Sequence, residues 1–405
     1  MKTVLTKKLS VRKDSLKQIM KKLIKNNPRK LLVMLALILI VGGAIFATST
    51  WRTPMPEEEL EPVITVTYAT PEPTPEPTPE PEQEEPQEPI PDLDLELEIE
   101  TGLFNPLTGR QTAEDISNNR PLAIPLGNTL PALPMNGVSQ ADILYEVLVE
   151  GGSTRMLAIF QDISDVRLVG SIRSARHYTV QIAHSYDAIL ASYGGSPQAY
   201  AEISALGVTH VDEGRQMLVR NPNRIGVRLS REHTGTTTNA LATRWLPEYG
   251  FRLEHEDGYE HALTFVDDGT PAGGAAATDV VVRFSTGKTS SFSYNDENRV
   301  YHMRQFNRDF IDGNDGSRPA FTNILILKTT VTGIPGDGTG RRDMVTTGTG
   351  DGYFVNGGSY VEINWSRANN NSQFVYTLKD GSALELGRGR TFIGIIPTGM
   401  DATFE

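Results

Sequence analysis

Proline stands at every second position from Pro71 to Pro81, in a segment that is otherwise rich in glutamate. Residues 53–101 contain twelve prolines and sixteen Asp or Glu. Proline fixes φ and has no backbone N–H, and like charges repel, so this segment favours an extended polyproline II conformation over a helix or a sheet. The sequence predicts a linker over residues 50–102, either a spacer or a disordered acidic chain without a geometric role. About 300 later residues remain to build the folded part.

An uncharged apolar run of 17 residues extends from Leu31 to Ala47. Its length suits one helical span of the ~30 Å hydrocarbon core of a membrane. The preceding residues 1–30 carry eleven Lys or Arg and one acid. Because positive flanks stay in the cytoplasm, we predict a cytoplasmic tail (1–30), a transmembrane signal-anchor (31–49) and an extracellular C-terminal bulk. The membrane is thus the first predicted partner. The Ala47-Thr48-Ser49 pattern leaves a cleaved signal peptide as the alternative.

The charge of the chain, its lack of cysteine and its lack of common catalytic motifs exclude several functional classes. The net charge is −12 although the first 30 residues carry +10, so the later residues are strongly acidic and do not suit a nucleic-acid partner. The chain contains no cysteine, which excludes disulfides, thiolate metal sites, cysteine nucleophiles and a lipidated cysteine. The sequence has no HExxH, GxSxG or Walker A motif, so we predict no metal site and no cofactor.

The residues after the linker divide into two predicted domains. In the first, 103–267, strands over residues 141–150 and 155–161 flank a Gly151-Gly152 turn, which predicts a hairpin. A strand over 166–172 follows, then a helix capped by Ser174, and later a helix that begins at Ser196-Pro197 and ends at Gly207. We therefore predict an α/β domain with a mixed sheet that is covered on both faces.

The second predicted domain, 279–405, is β-rich. Nine short apolar segments separated by Asn, Asp and Gly turns predict an antiparallel sheet or sandwich. The folded part is therefore expected to belong to the α+β or α/β class. The oxygen-rich segment from Asp309 to Asp315 lacks the terminal glutamate of a calcium loop, and turn chemistry explains its composition equally well. Calcium binding there stays an open alternative.

Four arginines near predicted strand ends are the candidate binding residues: Arg155, Arg167, Arg173 and Arg176. Cations in the first turn of a helix oppose the helix dipole, so arginines beside the Ser174 cap indicate a bound anion that offsets both. The alternative is that the arginines form salt bridges with Glu146, Glu150 or Asp162.

A glycine-rich turn, Gly194-Gly195-Ser196, extends the candidate site. It opens a helix at the carboxyl end of a predicted strand, where ligands of α/β proteins usually bind and where free N–H groups favour an anion. The alternative is ordinary helix capping by Ser196.

Two functional hypotheses follow from these residues. In the first, the chain binds an anionic component of the cell envelope (a wall polymer, peptidoglycan or a lipid head group) through its arginines. In the second, it is an envelope hydrolase or transferase in which Glu146 or Glu150 acts as general base and His233 as acid, while the arginines stabilise charge. A deep cleft would favour the enzyme and an open groove the binding protein.

Several motifs resemble those of the YerB-type lipoproteins of Gram-positive bacteria. They are NPLTG at residues 105–109, ADILYE at 141–146, EGGSTR at 150–155, IRSAR at 172–176, and the later Gly357, Trp365 and residues 392–397. The resemblance implies a two-domain envelope protein of a largely uncharacterised family. The chain departs from the family pattern twice. An apolar span replaces the lipidated cysteine, and Gly170-Ser171 stands where the family has Gly-Pro.

Overall fold

The computed structural model describes residues 102–405, which lie within one compact unit extending from Asp92 to Glu405. The predicted cytoplasmic tail, the signal-anchor from Leu31 to Ala47 and nearly all of the linker lie outside the described residues. Within residues 102–405, no helix is both long and apolar enough to cross a membrane.

The first half of the described chain alternates short strands with helices. Its strands are β1 (Leu122–Asn128), β2 (Ile143–Leu148), β3 (Thr154–Phe160), β4 (Val169–Gly170), β5 (Ile189–Ala191), β6 (His210–Val211), β7 (Val219–Arg220), β8 (Gly235–Thr237) and β9 (Phe265–Val266). Its α-helices are α1 (His177–Ser185), α2 (Pro197–Leu206) and α3 (Asn239–Glu248), and it has 3₁₀ turns at Leu130–Ala132, Glu150–Gly152 and Arg231–His233.

The second half consists of strands and turns, as the sequence predicted. The strands are β10 (Ala275–Ala276), β11 (Asp279–Ser285), β12 (Lys288–Asn295), β13 (Val300–Gln305), β14 (Arg308–Asp309), β15 (Ala320–Phe321), β16 (Asn323–Thr329), β17 (Val331–Gly333), β18 (Arg342–Met344), β19 (Gly348–Asn356), β20 (Ser359–Arg367), β21 (Val375–Leu378), β22 (Leu386–Gly387), β23 (Thr391–Pro397) and β24 (Ala402–Phe404).

A mixed sheet of eleven strands runs through both halves, in the order β10-β20-β19-β16-β23-β2-β3-β1-β5-β6 with β21 on β20. Strand β23 lies between β16 and β2 and is parallel to both, so the antiparallel pairing predicted for the C-terminal strands fails for β23, although β11, β12 and β13 pair as predicted. Parallel neighbours need a long crossover connection, and about 60 residues separate β16 from β23. A second sheet has the order β14-β13-β12-β11-β24, with β15 on β13.

Apolar side chains cover both faces of the main sheet. On one face Leu144 belongs to the same buried cluster as Val282 of the second sheet. On the opposite face Tyr145 clusters with Tyr178 of α1. These two layers explain why the side chains of β2 and β3 are buried along their whole length.

Predicted elements are confirmed where they depend only on residues that are neighbours in the sequence. Strands β2 and β3 pair as the predicted hairpin around the Gly151-Gly152 turn. Ser196 caps α2 by accepting the N–H of Ala199 (3.1 Å), and Gly207 ends that helix at φ 66°.

Two predicted elements are shorter than expected. The strand predicted over residues 166–172 is reduced to β4, which pairs with β8 in a small sheet apart from the main one. The helix predicted from Ser174 begins at His177, because Arg176 is still extended (φ −119°, ψ 151°). Residue Ala175 just before it pairs with Gly195 as an isolated bridge, which holds this part of the backbone out of the helix.

Candidate functional site

Residues 172–175 lie between the end of β1 and the loop that follows β5. Ile172 forms a bridge with Leu126, and the N–H of Arg173 donates to Pro125 O (2.8 Å). On the other side, the N–H of Ala175 donates to Gly194 O (2.9 Å). The arginine segment and the Gly194-Gly195-Ser196 turn, predicted separately from the sequence, are therefore neighbours.

Two of the three N–H groups of the glycine turn, those of Gly194 and Ser196, are used by the protein itself. Gly194 N–H donates to Asp212 Oδ1 (3.0 Å), and Ser196 N–H donates to Ala175 O (3.1 Å). With the Ser196 hydroxyl capping α2, these contacts favour the capping interpretation of the turn over an anion site. Its contribution to the site is to fix the position of Ser174, whose Oγ lies near Gly194.

Arg176 and Arg155 are bound within the fold. The Nε and Nη2 atoms of Arg176 both lie 2.7 Å from Glu150 Oε1, which is the salt bridge anticipated as an alternative. Arg155 is buried, and its Nη1 donates to the backbone oxygen of Ser174. Burial, with Arg176 and Arg173 nearby, lowers the pKa of Arg155 to about 9. Both arginines therefore hold the segment in place.

Arg173 is placed differently. Its Nη1 donates to the backbone oxygen of Glu232 (2.8 Å) and lies 3.4 Å from His233 Nδ1. Its Nε and Nη2 make no hydrogen bond, and no carboxylate lies within 4 Å of it, among residues 102–405. These two atoms form the edge of a guanidinium that binds two oxygens of one phosphate or carboxylate.

His233 lies beside this guanidinium, as the sequence hypothesis required. It is buried in the 3₁₀ turn Arg231–His233. Burial and the adjacent Arg173 lower the pKa of His233 below its ordinary value, so the imidazole is neutral at pH 7.

Arg173 lines a cleft of about 330 Å³ that contains two further arginines. Arg220 stacks over the ring of Tyr193 at 4.4 Å, and Arg231 lies on the rim. Glu213 pairs with both Arg220 and Arg231, and Glu232 completes the lining. We shall call this the Arg173 cleft. Sequence reasoning missed Arg220, because β7 carries no motif and only its pairing with β8 brings it here.

Two other predicted regions lie elsewhere. Arg167 is exposed and donates to Asn314 O (2.7 Å), so it is not one of the residues lining the cleft. In the segment from Asp309 to Asp315, both carboxylate oxygens of Asp312 accept N–H or O–H groups from Gly137, Ser139 and Asn314. Asp312 thereby fixes a turn, and no group of three metal-binding side chains occurs within residues 102–405.

Glu146 does not join the arginines. In the hairpin Glu146 pairs with Met156, whereas Arg155 pairs with Val147. Adjacent residues of a strand point to opposite faces, so Glu146 and Arg155 lie on opposite sides of the main sheet. The fully buried carboxylate of Glu146 accepts four hydrogen bonds, from Asn128, Thr154, Ser290 and Gln305. It also lies 3.6 Å from Lys288 Nζ. The sequence-based prediction that Glu146 converges with the arginines is therefore wrong.

Both halves of the chain are similar to known proteins. Residues 107–242 match the family "Protein of unknown function (DUF3048) N-terminal domain", and residues 280–393 match the corresponding C-terminal domain. The chain is 29% identical over 304 residues to "Putative lipoprotein YerB" of Bacillus subtilis, which covers 72% of this chain and 86% of that protein. It is also similar to the crystal structure of YerB protein from Bacillus subtilis, with a TM-score of 0.65 and 26% identity, covering 74% of this chain and 99% of that one. All residues of the Arg173 cleft lie in the first matched region.

Proposed function

The chain belongs to the YerB family, and from that premise we propose that it is a membrane-attached, extracytoplasmic protein that binds an anionic component of the cell envelope in the Arg173 cleft. The ligand is a phosphate- or carboxylate-bearing wall polymer, peptidoglycan or lipid head group. The observation that carries the proposal is the open side of the Arg173 guanidinium, which has two unused N–H donors.

Attachment to the membrane is supported by the relative and by the sequence together. The similar Bacillus subtilis protein bears the name "Putative lipoprotein YerB". This chain has no cysteine that could carry a lipid, but it has the uncharged run from Leu31 to Ala47 behind a basic tail. We propose that this run is a single-pass span and that the Pro/Glu linker separates the folded part from the membrane surface.

The chemistry of the Arg173 cleft suits an anionic group. Its lining has three guanidinium groups and two carboxylates, so it keeps an excess of one positive charge in a chain with a net charge of −12. Arg220 and Arg231 share Glu213, which leaves Arg173 as the arginine of the cleft that has no carboxylate within 4 Å among residues 102–405. An incoming phosphate or carboxylate would pair with Arg173 side-on and gain attraction from the other two arginines.

The geometry favours binding over hydrolysis or transfer. Glu146 is on the far side of the sheet, and Glu150 is paired with Arg176, so neither carboxylate is free to act as a base near Arg173. The side chains on the rim, Arg220, Arg231 and Glu232, are exposed, as expected for an open groove.

Pull-down of the full-length chain on purified Gram-positive cell walls tests the proposal. Arg173→Gln should reduce retention about tenfold or more, because charge-assisted hydrogen bonds are among the stronger contacts to an anion. Arg167→Gln is the matched control, since this arginine precedes the same segment but is outside the cleft. Equal retention of wild type, Arg173→Gln and Arg167→Gln would contradict the assignment of the cleft.

A further inference from the structure

A second cavity, of about 550 Å³, opens beside the turn between β2 and β3. Its walls are the turn of residues 151–153, the turn of residues 285–288, and the side chains of Asn128, Phe306 and Arg342. The Ser285 hydroxyl donates to Gly152 O (2.8 Å) and joins the two turns. The cavity therefore lies where the main sheet meets the second sheet, and its size is that of a small-molecule site.

The cavity lining has two cations, Lys288 and Arg342, and no carboxylate. Such a lining favours an anion, because a neutral or positive ligand would leave the desolvated charge of Arg342 without a partner. This distinguishes it from the Arg173 cleft, where carboxylates accompany the arginines.

Arg342 has no partner for its charge. Its side chain makes no salt bridge or hydrogen bond with any of residues 102–405, and its Nε is buried without a hydrogen-bond partner. A half-buried guanidinium in that condition is costly unless a ligand or solvent satisfies it.

Lys288, in contrast, is held rigidly. Its Nζ donates to Gln305 Oε1 (2.6 Å), lies 4.1 Å from the Phe306 ring centroid, and is 3.6 Å from Glu146 behind the cavity wall. A cation fixed in this way needs little reorganisation to meet an anion.

Asn128 adds an acceptor. It is 1% exposed, and its Nδ2 donates to Glu146 Oε1 (2.9 Å) and Thr154 Oγ1 (2.8 Å). The carboxylate fixes the orientation of the amide, so Oδ1 is the free end, and it has no hydrogen-bond partner. A ligand that satisfies this atom must carry a donor such as a hydroxyl group.

We propose that this cavity binds a small hydroxylated anion, a polyol or sugar unit with one phosphate or carboxylate. The acid group pairs with Arg342 and Lys288, and a hydroxyl donates to Asn128 Oδ1. The site is independent of the Arg173 cleft, from which it differs in lining and in location.

Isothermal titration calorimetry of the purified full-length chain tests this site with four probes: glycerol 3-phosphate, glycerate, propyl phosphate and inorganic phosphate. We expect glycerol 3-phosphate or glycerate to bind, and the tighter of the two identifies the preferred acid group. Propyl phosphate and inorganic phosphate, which lack the alcohol hydroxyls, should bind several-fold more weakly. Arg342→Gln should weaken binding about tenfold or more.

A control variant localises the effect. Arg341→Gln removes the neighbouring arginine, which pairs with Asp337 and does not line the cavity. It should bind the tighter of glycerol 3-phosphate and glycerate like wild type, with circular dichroism confirming that every variant is folded. The proposal is overturned if neither of these two probes binds, if Arg342→Gln binds the tighter one as tightly as wild type, or if the probes without alcohol hydroxyls bind as tightly.

Discussion

Replacing Lys288 by Met should destabilise the folded part strongly, because it leaves Glu146 as a buried charge. Glu146 is 0% exposed and Lys288, 3.6 Å away, is its nearest cation. Removing one partner of a buried ion pair costs about 3–5 kcal/mol of unfolding free energy. Since Glu146 keeps four hydrogen-bond donors, we expect the lower end, about 3 kcal/mol.

A double-mutant cycle separates this charge effect from the lost packing of the lysine. Glu146→Gln alone places an amide N–H among donors that already point at the carboxylate, which costs about 1–3 kcal/mol. In the double variant neither charge remains, so the two losses should not add, and the coupling should be about 2 kcal/mol.

Urea unfolding of the compact unit Asp92–Glu405, followed by circular dichroism, measures these free energies. Lys379→Met is the control, because Lys379 pairs with Asp351 at the surface, where an ion pair is worth about 0–1 kcal/mol. If Lys288→Met costs no more than Lys379→Met, or if the cycle is additive within about 0.5 kcal/mol, the buried pair does not act as described.

Further predictions concern Asp142 and Gly235. Burial raises the pKa of Asp142 to about 6 from 3.8, so the folded state binds more protons than the unfolded state between these values and wild-type stability falls as pH rises through them. The unfolding free energy of Asp142→Asn should therefore rise by about 3 kcal/mol relative to that of wild type as the pH increases from 3.5 to 7. Urea unfolding at each pH measures this difference, and a difference that does not change with pH would refute the prediction. A Cβ at Gly235 would lie 2.8 Å from Ile172 O and against the Tyr193 ring, so Gly235→Ala should reduce both cell-wall binding and stability. Gly287→Ala is the control, because its Cβ meets no atom within 4 Å and should change stability little. Equal melting temperatures of the two variants would contradict this packing.

The sequence determined those elements whose signals lie within a few residues. Ser196, Pro197 and Gly207 specify both ends of α2 through contacts no longer than one helical turn. The Gly151-Gly152 turn likewise specifies the hairpin, and the linker composition separates the folded part from the residues before it. The motifs at 105–109, 141–146, 150–155 and 172–176 were also sufficient to identify the family.

Only the tertiary structure decided which charged side chains meet. Arg173 and Arg220 come together because β7 pairs with β8, and Arg167 is drawn instead to Asn314, which is 147 residues away. Glu146 and Arg155 are close along the hairpin, yet the pairing register places them on opposite faces. Likewise, α1 begins two residues later than its local signals indicate, because Ala175 is paired with Gly195. Register and pairing partners depend on packing between distant segments, whose free energy no short stretch of sequence contains.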